Sequence, residues 1–127
     1  MIVDASALVA SFGNPESQRH LVGEELAAPD LLIPETLNAF WKLRRAGRSV
    51  PTLSVLLSTL DYVRIVPSRA HAARAAELAG RLDHPVYDCL YLALAEAEAD
   101  VLITSDAAFE RKARTHGFRK SVRLVSR

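Results

Sequence analysis

Val86-Tyr87-Asp88-Cys89-Leu90-Tyr91-Leu92-Ala93-Leu94-Ala95 leads, through a short charged segment, into Val101-Leu102-Ile103-Thr104. The first run follows Pro85, a residue suited to the first turn of a helix. It is apolar around nearly its whole circumference, so its spacing predicts a largely buried helix from Pro85 to about Ala99. The second run is short and apolar and predicts a strand. A buried helix feeding a buried strand is the unit of an α/β fold.

The alternation extends in both directions. Met1 to Val3 reads as a strand, and Ala5 to Phe12 as a helix with Asp4 as its N-cap. Asn14-Pro15 breaks it, and Glu16 to Glu24 forms a further short helix. Leu26 to Leu32 is a second strand, in which Pro29 suggests an edge position or a short ladder. Pro34 opens a helix with Leu37, Phe40, Trp41 and Leu43 at helical spacing, ending near Gly47. Pro51 opens another, with Leu53, Leu56, Leu57 and Leu60 on one side. Val63 to Val66 alternates as a strand, Arg69 to Leu82 is an alanine-rich helix, Ala107 to His116 is a helix, and Val122 to Val125 is a last strand. The order β-α-β-α-α-β-α-α-β-α-β implies a mostly parallel sheet with helices on both faces.

A chain of 127 residues fits one domain, 1–127, and half of its residues are apolar, enough to fill a core. The net charge of +1 is low for a protein that grips nucleic acid by charge alone; a bound cation could supply the missing positive charge. With one cysteine, Cys89, no intrachain disulfide can form. The N-terminus carries neither a basic n-region nor a long apolar run, so neither a signal peptide nor a membrane helix is expected, and the location is read as cytoplasmic. Walker-type glycine loops, HExxH and Gly-x-Ser-x-Gly are missing from the sequence.

Four acids draw attention. In open α/β sheets, sites form beyond the carboxyl ends of the strands. Asp4 follows the first strand and Asp106 follows the Val101–Thr104 strand. Glu35 lies in the first turn of the helix after the second strand. Each also has a plain structural reading: Asp4 and Asp106 as N-caps, Glu35 as a complement to a helix dipole. Asp88 is different, because an unpaired carboxylate in a buried helix is costly or becomes protonated. It needs a cation partner, either an arginine or a metal. Its helix feeds the Val101 strand and would have to cross the site obliquely, so spacing places Asp88 less securely than the other three. Clustered carboxylates repel, and a hard cation such as Mg²⁺ removes that repulsion while accepting oxygen ligands. Ser6 and Thr104 add hydroxyls beside Asp4 and Asp106, for a water or phosphate or as ordinary helix-start and strand-end groups.

Asp4-Ala5-Ser6, Pro34-Glu35 with Asn38 one turn on, Tyr87-Asp88-Cys89-Leu90-Tyr91-Leu92-Ala93-Leu94-Ala95, and Thr104-Ser105-Asp106-Ala107-Ala108-Phe109 together resemble the PIN domain, and within it the VapC toxins of type II toxin–antitoxin systems. The resemblance spans essentially the whole chain. It implies a three-layer α/β/α sandwich around a parallel sheet of about five strands, ordered to bring Asp4 and Asp106 together. It also implies Mg²⁺- or Mn²⁺-dependent endonucleolytic cleavage of RNA. Asp4 and Asp88 would be direct metal ligands, with Glu35 and Asp106 completing the shell through water or at a second metal. A homodimer and a VapB-like antitoxin partner are implied as well.

Two other classes remain open at this point. A haloacid-dehalogenase-like Mg²⁺ phosphohydrolase also begins with an Asp after the first strand, but wants a second Asp where this chain has Ser6. A non-catalytic RNA- or protein-binding module would use the acids only as caps. The histidines His20, His71, His84 and His116 show no ligand spacing, although His84 falls near the site region. Tyr87 and Tyr91 read as core packing or as base-stacking groups, and Cys89 as inert core. The clusters Arg44, Arg45, Arg48 and Arg111, Lys112, Arg114, Arg119, Lys120 are solvated faces or phosphate contacts. Leu53, Leu56, Leu57, Leu60 and Trp41 offer more apolar surface than one small helix pair needs, for a core or for a protein partner.

Overall fold

The computed structural model describes residues 1–125. Its elements are β1 (Ile2–Val3), α1 (Ala5–Ser11), α2 (Pro15–Arg19), β2 (Leu26–Pro29), α3 (Leu32–Arg45), α4 (Leu53–Leu60), β3 (Val63–Val66), α5 (Ala72–Leu82), α6 (Val86–Ala97), β4 (Leu102–Thr104), α7 (Ala107–Ala113) and β5 (Val122–Leu124). The five strands form one sheet in the order β3-β2-β1-β4-β5, and every pairing is parallel. The chain steps outward from β1 to β3, then returns to β4 and β5. With right-handed crossovers, the helices between β1 and β3 lie on one face and those between β3 and β5 on the other. The packing follows, with α1 against α3 and α5 against α6. This is the α/β/α arrangement expected.

The strands are short because their work is central. Ile2 and Val3 are fully buried; Ile2 pairs on both sides, opposite Ala27 of β2 and Leu102 of β4, and Val3 pairs with Ile103 of β4. Pro29 does not mark an edge: β2 lies between β1 and β3. Its missing N–H is harmless because the pairing with β1 stops at Ala27, two residues before it. α3 begins two residues earlier than expected, at Leu32, which places Pro34 third in the helix, still among the N–H groups without an intrahelical acceptor. The helix expected to reach His116 ends at Ala113 and unwinds through Arg114–Phe118, where Gly117 takes φ +94°.

α6 is the central helix. Cys89, Tyr91, Leu92, Ala93, Leu94 and Ala95 are buried, as the sequence suggests, against β1, β2 and β4 on one side and α5 on the other. Its first turn departs from that expectation: Val86 is exposed, and Tyr87 is 63% exposed, so Tyr87 is not a core residue. Leu56 and Leu60 of α4 are buried, whereas Leu53, Leu57 and Trp41 are exposed. No helix among the described residues is long and apolar enough to cross a membrane.

Candidate functional site

Strand order reverses between β1 and β4, so a crevice opens beyond their carboxyl ends. Asp4 leaves β1 and caps α1, its Oδ1 accepting from the Ala7 N–H at 2.9 Å. Asp106 follows β4 and caps α7, its Oδ1 accepting from the Phe109 N–H at 3.0 Å. The capping readings are therefore correct, and they do not compete with a site, because each cap turns its carboxylate to the β1/β4 boundary. A hydroxyl network joins the two. Ser6 Oγ donates to Asp4 Oδ1 at 2.7 Å, accepts from the Ser105 N–H at 3.0 Å, and lies 3.3 Å from Thr104 Oγ1. Thr104 Oγ1 accepts from the Asp106 N–H at 3.1 Å.

Asp88 reaches the same place without an oblique crossing. A helix that feeds a parallel strand runs antiparallel to it, so the N-terminus of α6 lies at the carboxyl ends of the strands. Burial raises the pKa of Asp4, of Glu35 and of Tyr91, and the negative charge of Asp88 adds to each rise. The carboxylate is not fully buried: its side chain is 32% exposed, because the first turn of α6 projects past the core. Nor is its partner an arginine. His84 Nε2 lies 2.6 Å from Asp88 Oδ2.

Glu35, in the first turn of α3, accepts from the Tyr91 hydroxyl at 2.6 Å. Burial pushes its pKa up, Tyr91 pulls it down, and Asp88 raises it further. Asp4 is the most deeply buried of the four acids, at 5% exposure. Burial raises its pKa to about 6, against the pull of Thr104, Ser6 and the Ala7 N–H, with Asp88 adding to the rise. Among the described residues, no lysine or arginine forms an ion pair with any of the four acids. Negative charge is thus concentrated beside a buried carboxylate with only hydroxyls, an amide and one imidazole to offset it. Such a donor set fits a divalent cation, which prefers oxygen ligands and relieves the repulsion. His84, Asp88 and Asp106 each bring one ligand atom to within 4.8 Å of the others.

A groove of about 900 Å³ runs from this crevice between α1 and α3. Ser6, Ser105, Glu35 and Asn38 line it, and so do the basic side chains Lys42 and Arg48. Of the first basic cluster, Arg48 therefore faces the groove, while Arg45 covers the exposed Trp41 ring at 5.4 Å. In the second cluster, Lys112 donates to the Asp83 carbonyl and Arg114 pairs with Glu110.

Sequence reasoning undervalued two residues. Tyr91 was readable as core, and it is, but its hydroxyl also holds Glu35; its position three residues after Asp88, on the same helix face, was the available signal. His84 lies four residues before Asp88, across Pro85 and outside the helix, so no helical spacing pointed to it.

The PIN domain family model matches residues 1–115. No relative was found among the curated proteins. Among solved structures, PAE2754 from Pyrobaculum aerophilum is 30% identical, with a TM-score of 0.70 over 87% of this chain and 77% of that one. A chain of a toxin–antitoxin complex from Klebsiella pneumoniae has the same fold at 15% identity, with a TM-score of 0.69 over 97% of this chain and 95% of that one. With the family model covering nearly the whole chain, and the parallel five-stranded sheet agreeing with it, this protein belongs to the PIN domain family.

Proposed function

We propose that this chain, as one domain over residues 1–127, is a metal-dependent endoribonuclease and the toxin of a type II toxin–antitoxin pair. One observation carries the reading: Asp88 adds to the raised pKa of both Asp4 and Glu35, Asp106 stands beside Asp88, and among the described residues no lysine or arginine pairs with any of the four. PIN domains are generally nucleases, which supports the chemistry. The likeness in fold to a chain of the Klebsiella toxin–antitoxin complex supports a protein antitoxin as partner; its VapB type, a cytoplasmic location and a homodimer belong to the same proposal through the resemblance to VapC toxins.

In this reading Asp4 and Asp88 hold Mg²⁺ or Mn²⁺ directly, and Glu35 and Asp106 complete the shell through water or at a second ion. When bound, the ion polarises the phosphodiester and makes water a better nucleophile. The protein's own part is placement. Ser6 and the Ala7 N–H hold one oxygen of Asp4, Tyr91 aims Glu35, and Thr104 orders the backbone at Asp106. Asn38, Lys42 and Arg48 lie along the groove where a phosphate backbone would run.

The test is incubation of the purified protein with structured RNAs in Mg²⁺ or Mn²⁺, then with EDTA, alongside Asp88→Asn. Cleavage that stops with EDTA and with the substitution is expected. Cleavage that survives either removes the mechanism. Hydrolysis of a phosphomonoester without RNA cleavage would indicate a phosphohydrolase instead.

A further inference from the structure

The four acids do not account for His84. Its side chain is only 9% exposed, yet it belongs to no helix and to no part of the hydroxyl network. The backbone around it is tightly held. Asp83 ends α5 in a left-handed conformation, φ 51°, and its carbonyl accepts from Lys112 Nζ at 2.5 Å. The His84 N–H bonds the Ala79 carbonyl at 3.1 Å, and Pro85 follows directly. The imidazole packs on Phe109, with ring centroids 4.7 Å apart and planes at 38°. Phe109 is the residue whose N–H bonds Asp106 Oδ1, so the platform under the ring is tied to the acid beside it. A buried imidazole is thus held rigidly with Nε2 directed at Asp88, 2.6 Å away, and within 4.8 Å of an Asp106 oxygen.

The other ring nitrogen sharpens the reading. Nδ1 is buried and has no hydrogen-bond partner among the described residues. In most metal-ligating histidines that nitrogen donates to a carboxylate or carbonyl, which fixes the tautomer. Here only the contact with Asp88 does so: a carboxylate accepts, so Nε2 is the donor across 2.6 Å. A cation bound at Asp88 would take that acceptor oxygen, and with no carboxylate or carbonyl on Nδ1 the proton can move there and leave the Nε2 lone pair for the ion.

We propose that His84 Nε2, Asp88 and Asp106 form a mixed nitrogen–oxygen site for a divalent transition ion, and that His84 makes this centre prefer such an ion over Mg²⁺. The inference rests on the reading of the acids as a metal centre and adds a ligand to it. Imidazole suits Zn²⁺, Fe²⁺ and Ni²⁺ best and Mn²⁺ least of the series, whereas Mg²⁺ demands oxygen and retains its water, so a nitrogen ligand raises affinity for the transition ions and adds little for Mg²⁺. Without an outer partner on Nδ1, the site binds more weakly than one with the usual second contact, by about ten- to a hundredfold.

Mn²⁺ is the probe. In the wild-type protein loaded with MnCl₂, electron spin-echo modulation should show coupling to an imidazole ¹⁴N. His84→Ala should abolish it and weaken Mn²⁺ binding, followed by the free-ion EPR signal, severalfold, while Mg²⁺ binding, measured by competition, changes little. Lack of ¹⁴N coupling in the Mn²⁺-loaded wild type, lack of Mn²⁺ binding, or equal loss of both ions in His84→Ala would overturn the proposal. The wild-type measurement stands even if His84→Ala fails to fold. RNA cleavage by the wild type in Mg²⁺ separates the two ideas: nitrogen coupling without cleavage keeps the site and removes the nuclease reading, and cleavage without coupling does the reverse.

Discussion

The Tyr91 hydroxyl donates to Glu35 Oε1 across 2.6 Å and so joins α6 to α3, two helices on opposite faces of the sheet. It is the contact through which the helix bearing Asp88 sets the position of Glu35. It also keeps Glu35 easier to ionise than its burial would allow. Tyr91→Phe keeps the ring and removes the bond. Without it the Glu35 pKa rises further, so the acid limb of the pH–rate profile should move to higher pH, with cleavage at neutral pH reduced. Stability should fall by about 1 kcal/mol, the usual net worth of one hydrogen bond. An unmoved acid limb would show that the bond is structural only.

Asp4 should make the folded protein sensitive to pH in a direction opposite to most carboxylates. Its pKa is raised from 3.8 to about 6, chiefly by burial. Between those values the folded chain keeps a proton that the unfolded chain releases, so stability falls as pH rises through that window, by roughly 3 kcal/mol in all. Asp4→Asn retains a capping oxygen and removes the charge. Urea unfolding should find Asp4→Asn more stable than wild type at pH 8, with the gap largely closed at pH 4. A gap of equal size at both pH values would contradict the assignment.

Divalent ions should stabilise the same state that the charges destabilise. A ligand at a hundred times its dissociation constant adds about 2.7 kcal/mol, so MnCl₂ should raise the wild-type melting temperature by several degrees at pH 7.5. EDTA should reverse the rise and Asp88→Asn should abolish most of it. The rise should also shrink at pH 5, where Asp4 is protonated. A rise that is unchanged in Asp88→Asn would place the ion elsewhere.

Thr104→Val tests the hydroxyl network with little change in volume. Thr104 is fully buried, and its Oγ1 serves the Asp106 N–H and the Asp4 side chain. Losing it should cost about 1–3 kcal/mol. Because Thr104 lowers the Asp4 pKa, the pH window of the Asp4→Asn comparison should extend above 6 when that comparison is repeated in Thr104→Val. A stability loss without that extension would mean that Thr104 serves only the backbone of Asp106.

Much of this molecule is legible along the chain. Alternating apolar runs of strand and helix length, with Pro15, Pro34, Pro51 and Pro85 at or near helix starts, determined the order of elements and hence a parallel sheet. Asp4, Asp106 and Glu35 follow from that order, because residues after parallel strands collect at one end of the sheet. These are local signals: each depends on spacing within one element or on the direction of the next. The tertiary structure alone decided what is non-local. Tyr91 and Glu35 are 56 residues apart, and Ser6 and Thr104 are 98 apart. His84 reaches Asp88 across a proline, and its ring is held by Phe109 from another helix. The depth of each acid was likewise decided by packing, not by the apolarity of its neighbours. Asp88 stands in a largely apolar helix yet meets solvent, while Asp4, in an ordinary strand-to-helix turn, is enclosed by β1, β4 and α1. Burial is a property of the surroundings in three dimensions, and no spacing along one element records it.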